Sequence, residues 1–221
     1  MLRIFIGFEV RQPIAFSVFS LSLLAQSTKP LSITPMVLGQ LPITRKGLTD
    51  FTYSRFLVPY LCDFRGVALF LDADMLCLTD IAELFALADP ERAVMTVDTN
   101  PAFERAAVML FNCEHQDNKK LTPEFIQHSD FPLHKIGWTK NRGDLPTEWN
   151  HLVLYDKPRE DAKLVHFTGG IPCFPETFNC EYSRQWKEWA DMARSSVPWE
   201  HLMGNSVHRG RVHAAQKYAQ A

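Results

Sequence analysis

Apolar and polar positions along the chain alternate in a strand, helix, strand order from its start. Arg3–Phe8 (RIFIGF) predicts a short strand ending near Gly7, and Pro13 suits the first turn of a helix running to Ala25. Ile33–Leu38 predicts the next strand, so the opening reads as a β-α-β unit with parallel strands and a right-handed crossover. Thr49 or Asp50 is placed to cap a second helix through Leu61, which Pro59 kinks or ends. The unbroken run Val67–Leu71, just after Gly66, predicts a strand buried on both faces. Asp80-x-x-Glu83 resembles a capping box for a helix through Leu87. Ala93–Val97 and Ala107–Phe111 predict two more strands, with Pro90 and Pro101 marking the turns before them.

From Gln116 to Asn150 the pattern lapses. The stretch is polar and irregular apart from a short helix after Thr122-Pro123, as expected of functional loops. Lys163–Phe167 predicts a last strand, Gly169-Gly170 a tight turn, and Glu181–Arg194 a helix carrying Trp186 and Trp189. The basic tail 208–221 reads as a frayed helix or a flexible arm. The fold class expected is α/β: one domain over 1–221, with a Rossmann-like mixed sheet flanked by helices.

Composition narrows the function classes. With 46% hydrophobic and 22% charged residues the chain reads as globular, and a net charge of −2 gives no electrostatic case for nucleic acid or an anionic membrane. Cys62, Cys77, Cys113, Cys173 and Cys180 form no CxxC pair and no zinc spacing, which suits free thiols in a reducing cytoplasm. Cys173 and Cys180 are the pair to check for a bond. The apolar stretch 13–25 has the flavour of a signal segment. Arg3, Glu9 and Arg11 precede it, Ser and Gln interrupt it, and it is too short for a bilayer, so it reads as a buried first helix and no transmembrane segment is expected.

The chemistry concentrates at the end of the 67–71 run, which delivers Asp72 and Asp74. Side chains at i and i+2 of an extended segment point the same way, so both carboxylates can face one divalent cation, and hard oxygen ligands suit Mg²⁺ or Mn²⁺. Two acids after a core strand are costly unless something neutralises them. His166, at the end of Leu164-Val-His166-Phe-Thr-Gly169-Gly170, adds a nitrogen ligand suited to Mn²⁺, and the glycines allow backbone N–H groups close to phosphate. Arg55, in Tyr53-Ser-Arg55-Phe, is a cation flanked by apolar residues and suited to a bidentate phosphate contact.

The order of short N-terminal strand, Arg55-bearing helix, LFLDAD, AVMLFN, LPTEWN and HFTGG resembles the retaining glycosyltransferases of family 8, over roughly residues 1–175. That family includes bacterial lipopolysaccharide galactosyl- and glucosyltransferases and glycogenin. The resemblance implies a GT-A fold, a nucleotide-sugar donor (a UDP-sugar) and a carbohydrate or glycan acceptor. It implies Mn²⁺ (or Mg²⁺) held by Asp72, Asp74 and His166. Gly7, Arg55, Asp72, Asp74, Gly169 and Gly170 become the expected donor contacts. It further implies a hexose moved with retention, by same-face attack in which the leaving phosphate accepts the acceptor's proton. Asp98, after the strand at 93–97, is the side chain expected to orient the donor sugar, the alternative being a turn aspartate before Pro101. The irregular, aromatic stretch 116–150, with Trp138, Trp149 and His134, is expected to recognise the acceptor, the alternative being that Trp149 anchors the loop in the core.

The chain departs from that pattern in places. Phe8, Glu9 and Val10 stand where acidic and amide residues read the base, and Arg105-Ala106-Ala107 where the family has Asn-Ser-Gly. An Asp-Gln motif has no clear match between 116 and 144, and Pro172 replaces a phosphate-binding lysine, so Arg55, Lys135, Lys140 or Arg142 would have to compensate. Two other readings fit parts of the sequence. One is a GT-A-like domain that binds carbohydrate or a partner without activity. The other is a haloacid dehalogenase-like phosphatase, which lacks its downstream acidic pair and has Leu76 where Thr or Val is wanted.

Overall fold

The computed structural model describes residues 1–193. In chain order its strands are β1 (Leu2–Gly7), β2 (Leu31–Met36), β3 (Val67–Leu71), β4 (Met75–Cys77), β5 (Val94–Val97), β6 (Val108–Asn112), β7 (Arg142–Leu145), β8 (His151–Leu152) and β9 (Leu164–His166). The helices are α1 (Pro13–Gln26), α2 (Phe51–Ser54), α3 (Val58–Leu61), α4 (Ala82–Phe85), α5 (Pro123–His128) and α6 (Ser183–Ala193). A six-stranded sheet runs β2-β1-β3-β6-β5-β7, and a three-stranded sheet runs β4-β9-β8. β1 pairs in parallel with β2 and β3, and β6 runs antiparallel to both β3 and β5, so the main sheet is mixed.

Alternation along the central strands divides the core. Ile4, Ile6, Leu69, Leu71, Val108 and Leu110 face one side, packed with α1, α6 and the small sheet. Phe5, Ala68, Phe70, Met109 and Phe111 face the other, against the α2–α3 region and Trp138. Each strand therefore buries both faces, which is why its sequence reads as a continuous apolar run. α1 opens on Pro13 and buries Ala15, Val18, Phe19, Ser22 and Leu23. Among the described residues no helix is long and apolar enough to cross a membrane.

Several expectations shift. The helix expected from 49 or 50 to 61 is broken into α2, a 3-10 turn at Arg55–Leu57, and α3. Pro59 lies in the first turn of α3, where its missing N–H costs nothing. The Asp80 and Glu83 box does not close: Asp80 accepts from the Ala82 amide at 2.9 Å, while Glu83 binds Thr79 and Lys163. α4 is accordingly one turn long. The irregular region supplies β7, the edge strand, paired in parallel with β5. The helix 181–194 is found as α6 up to Ala193, and Arg194 and the tail 208–221 lie outside the described residues. All five cysteines are free, Cys173 exposed and Cys62, Cys77 and Cys113 buried.

Candidate metal and donor site

Asp72, Ala73 and Asp74 form the link between the carboxyl end of β3, in the large sheet, and β4, in the small one. The backbone is held on both sides of the link: the Asp72 amide donates to Ala107 O at 3.0 Å, and the Phe167 amide donates to Asp74 O at 2.9 Å. In the antiparallel β4–β9 pair Met75 lies opposite His166, which brings the imidazole beside the preceding Asp74. The outcome is a cluster in which one ligand atom each from Asp72, Asp74 and His166 lies within 4.8 Å of the others.

The electrostatics of this cluster are unbalanced. Asp72 and His166 are buried, and Asp74 is partly exposed. The Oδ1 atoms of both Asp72 and Asp74 are buried with no hydrogen-bond partner. Asp72 Oδ1 does lie 3.1 Å from the Arg55 guanidinium, so the cluster is partly compensated, and its three converging ligand atoms form a set that could hold a divalent cation. His166 Nε2 is 3.4 Å from Asp74 Oδ1. Burial pushes Asp72 above the usual carboxylate range, with Arg55 opposing and Asp74 adding to the shift. Burial works against charge on His166, but Asp74, Glu104 and Asp72 outweigh it and raise its imidazole to about 9. Two carboxylates and one imidazole form a donor set suited to a divalent cation.

Arg55 is buried. Its Nη1 lies 3.1 Å from Asp72 Oδ1 and donates to Ala106 O at 2.9 Å, while Nε donates to Phe51 O at 3.4 Å. The guanidinium thus braces Asp72 as well as bordering the cavity. That cavity, of about 260 Å³, is lined by Arg55, Asp72, Asp74 and His166 together with Leu48, Thr49, Phe51, Thr52, Glu104, His134 and Thr168. Arg55 is the one Lys or Arg side chain among them; Lys135, Lys140 and Arg142 are not part of this lining.

Other expected site residues fall in different places. Gly7 ends β1 behind Phe51, whose ring carbons a Cβ there would meet at 2.6 Å, so a close approach requires the glycine. Gly169 and Gly170 follow Thr168 without lining the cavity. The Gly170 amide donates to Phe167 O at 2.7 Å and its φ is +120°, so this N–H closes a turn and is not available to a phosphate. Asp98, at the end of β5, binds Arg105 and lies 3.6 Å from Arg142 Nη1. It borders a second, larger cavity of about 490 Å³ shared with Thr147, Asn150, His151, Lys157 and Arg159.

Two aromatic expectations are corrected. Trp138 is 2% exposed and Trp149 is 1% exposed, so neither can stack on an acceptor. Trp138 packs on Phe56 and Phe111 and donates from Nε1 to Asn118 Oδ1 at 3.0 Å, which anchors the loop in the core. His134 does line the cavity that Arg55, Asp72, Asp74 and His166 share.

Sequence reasoning missed Glu104 and Thr168. Glu104 is buried in the 3-10 segment Ala102–Ala107; its carboxylate accepts from Thr168 and lies 3.8 Å from His166 Nδ1. Its neighbours Arg105-Ala106-Ala107 depart from the family pattern, but no periodicity marks a lone acid in a short connecting turn.

Comparison with known proteins agrees with this architecture. The chain superposes on WbbM, a bifunctional glycosyltransferase, with a TM-score of 0.68 at 13% identity, covering 91% of this chain and 51% of that one. The galactosyltransferase LgtC, solved with donor and acceptor sugar analogues, gives a TM-score of 0.63 at 12% identity over 89% of this chain and 98% of that one. GlyE, a glycosyltransferase of Streptococcus pneumoniae, gives 0.64 at 15% identity over 86% of this chain and 61% of that one. The chain thus spans about half the length of the WbbM structure. No family model matches the sequence. The fold is the GT-A fold of glycosyltransferases. Protein CDI of Arabidopsis thaliana is 34% identical in a 220-residue alignment covering 83% of this chain and 84% of that protein. The chain belongs to the same family as Protein CDI.

Proposed function

We propose that this protein is a metal-dependent glycosyltransferase of the family 8 type, moving a hexose with retention from a nucleotide-diphosphate sugar, a UDP-sugar, to an acceptor hydroxyl. The observation that carries the reading is the convergence of one ligand atom each from Asp72, Asp74 and His166, all within 4.8 Å of one another, at the carboxyl end of β3. Ligands of open α/β sheets bind at the carboxyl ends of the strands. Asp72, Asp74 and His166 would hold Mn²⁺. When bound, the cation supplies Lewis-acid stabilisation of the departing diphosphate.

The chain's own groups supply the rest. Arg55 adds positive charge beside Asp72, partly offsetting the lysine replaced by Pro172. Buried Phe51 and half-buried His134 line the cavity and would limit water at the reacting end. In this reading the acceptor oxygen bonds to the anomeric carbon as the bond to the diphosphate breaks, and the hydroxyl proton passes to the leaving phosphate. The acceptor is assigned to the larger cavity beside Asp98, Lys157 and Arg159, because Asn150 borders it and touches His166. Polar and charged walls of that kind suit the hydroxyls of a glycan.

The test is a thermal-shift screen of nucleotide diphosphates and nucleotide sugars with and without Mn²⁺, followed by transfer assays with the stabilising donor. A specific ligand raises Tm by mass action. Stabilisation by one nucleotide sugar only with Mn²⁺, and transfer from it, is expected. Binding without hydrolysis or transfer would leave a carbohydrate-binding domain, and indifference to every nucleotide would overturn the reading.

A further inference from the structure

We infer that Asn150 is a positioning residue that fixes which nitrogen of His166 faces the carboxylates, an inference that rests on the metal-site reading above. The argument starts from a main-chain carbonyl. Asn150 Nδ2 lies 3.1 Å from Glu104 O, and both Asn150 and Glu104 are buried. A carbonyl oxygen only accepts, so the amide must turn its NH₂ toward Glu104. Its Oδ1 is then the atom 3.0 Å from His166 Nδ1. An amide oxygen also only accepts, so Nδ1 must carry a proton. Whatever the charge of the ring, the Nδ1 proton is held by Asn150 and Nε2 is the nitrogen left to face Asp74 Oδ1, 3.4 Å away.

The chain of constraint runs from a backbone atom, through one side-chain amide, to a ligand atom. A ring free to rotate about χ2 would present Nδ1 or a carbon to the cluster for part of the time. Asn150 removes that freedom because the imidazole is itself 1% exposed and bonded on its far side. The position of the amide is set in turn by the fold. Asn150 ends the 3-10 turn Thr147–Trp149 and lies two residues before Leu152, the register partner of His166 across the β8–β9 pair. Partners that orient a metal-bound histidine typically change metal affinity about 10–100-fold when removed.

The experiment uses the full chain with ¹⁵N-labelled histidine, wild type, Asn150→Ala and Asn150→Asp, with folding of each checked by its thermal transition. In the metal-free wild type a slowly exchanging proton on His166 Nδ1 is expected by ¹H–¹⁵N NMR. Asn150→Ala should lose it. Asn150→Asp keeps an acceptor for Nδ1 and should retain the signal, giving a readout if the alanine variant does not fold. Mn²⁺ alone, titrated by EPR, should bind Asn150→Ala about 10–100-fold more weakly than wild type. Absence of the Nδ1 proton in the wild type, its persistence in Asn150→Ala, or an unchanged Mn²⁺ affinity in that variant would overturn the inference. A wild type that shows the Nδ1 proton, loses it in Asn150→Ala and binds no Mn²⁺ would uphold the placement of His166 and sink the metal-dependent transferase reading alone.

Discussion

Arg55 Nη1 lies 3.1 Å from Asp72 Oδ1 with both side chains almost wholly enclosed, so the first acid of the Asp-x-Asp pair is held by the protein while the second, Asp74, is partly exposed. Breaking a buried ion pair leaves an uncompensated charge and costs about 3–5 kcal/mol. Arg55→Ala should lower the stability of the metal-free protein by an amount of that order. Arg55→Lys should recover only part, because an ammonium lacks the fork that reaches Asp72, Ala106 O and Phe51 O together. Urea unfolding of the variants with and without Mn²⁺ measures this, and wild-type stability in Arg55→Ala would mean that the pair contributes nothing.

Asp74→Ala and Asp72→Ala should abolish Mn²⁺-dependent stabilisation by nucleotide. The fold should persist in the Asp74 variant, because its carboxylate is partly exposed and accepts no hydrogen bond at Oδ1. The check is the Tm increment on adding Mn²⁺ and a nucleoside diphosphate. A full increment in Asp74→Ala would move the metal elsewhere.

His134 gives a pH signature. Burial, helped by the charge of Arg55 and opposed by the bond to Thr52 O, lowers its pKa from 6.5 to about 4. A depressed histidine leaves stability unchanged above the unfolded value. As pH falls from 6.5 toward 4 the unfolded chain takes up a proton that the folded one refuses, so stability drops, by up to about 3 kcal/mol. Thermal unfolding across that window should show the loss in the wild type and a shallower slope in His134→Gln. Equal slopes would assign the acid sensitivity to other groups.

Trp138→Ala should act on stability rather than on acceptor recognition. Truncating a buried tryptophan costs about 3–5 kcal/mol, and Asn118 Oδ1 loses the indole N–H as well. Chemical denaturation should show the loss. An unchanged midpoint paired with a raised acceptor KM would return Trp138 to the binding surface.

Lys157 borders the larger cavity beside Asp98 and is exposed. If the acceptor binds there, Lys157→Ala should raise acceptor KM several-fold and leave donor KM unchanged. Steady-state kinetics with each substrate varied in turn separates the two, and a change confined to donor KM would place the acceptor elsewhere.

What was legible in the sequence was what repeats. β3 falls where its apolar run predicts, because a strand buried on both faces must be apolar throughout. β4 escaped notice because three residues after two acids carry no usable period, and β7 (Arg-Gly-Asp-Leu) because an edge strand is held by backbone pairing with β5 rather than by its side chains. The Asp72, Asp74 and His166 grouping was readable because ligand chemistry names its residues. Asn150 and Glu104 were harder: the bond that orients the amide ends on a main-chain oxygen, and such an atom leaves no mark in the residue type.

The 3-10 segment Ala102–Ala107 touches the site through that same kind of atom three times. Glu104 O receives Asn150, Ala106 O receives Arg55, and Ala107 O receives the Asp72 amide. A template made of carbonyls separates shape from spelling. Arg105-Ala106-Ala107 can stand where other sequences write different letters, limited mainly by size, since Ala106 and Ala107 are fully enclosed. Exchange of Ala106 or Ala107 for another small residue is therefore compatible with an undisturbed site, whereas a shift of the turn's backbone would detune the histidine, the arginine and the first aspartate in one motion.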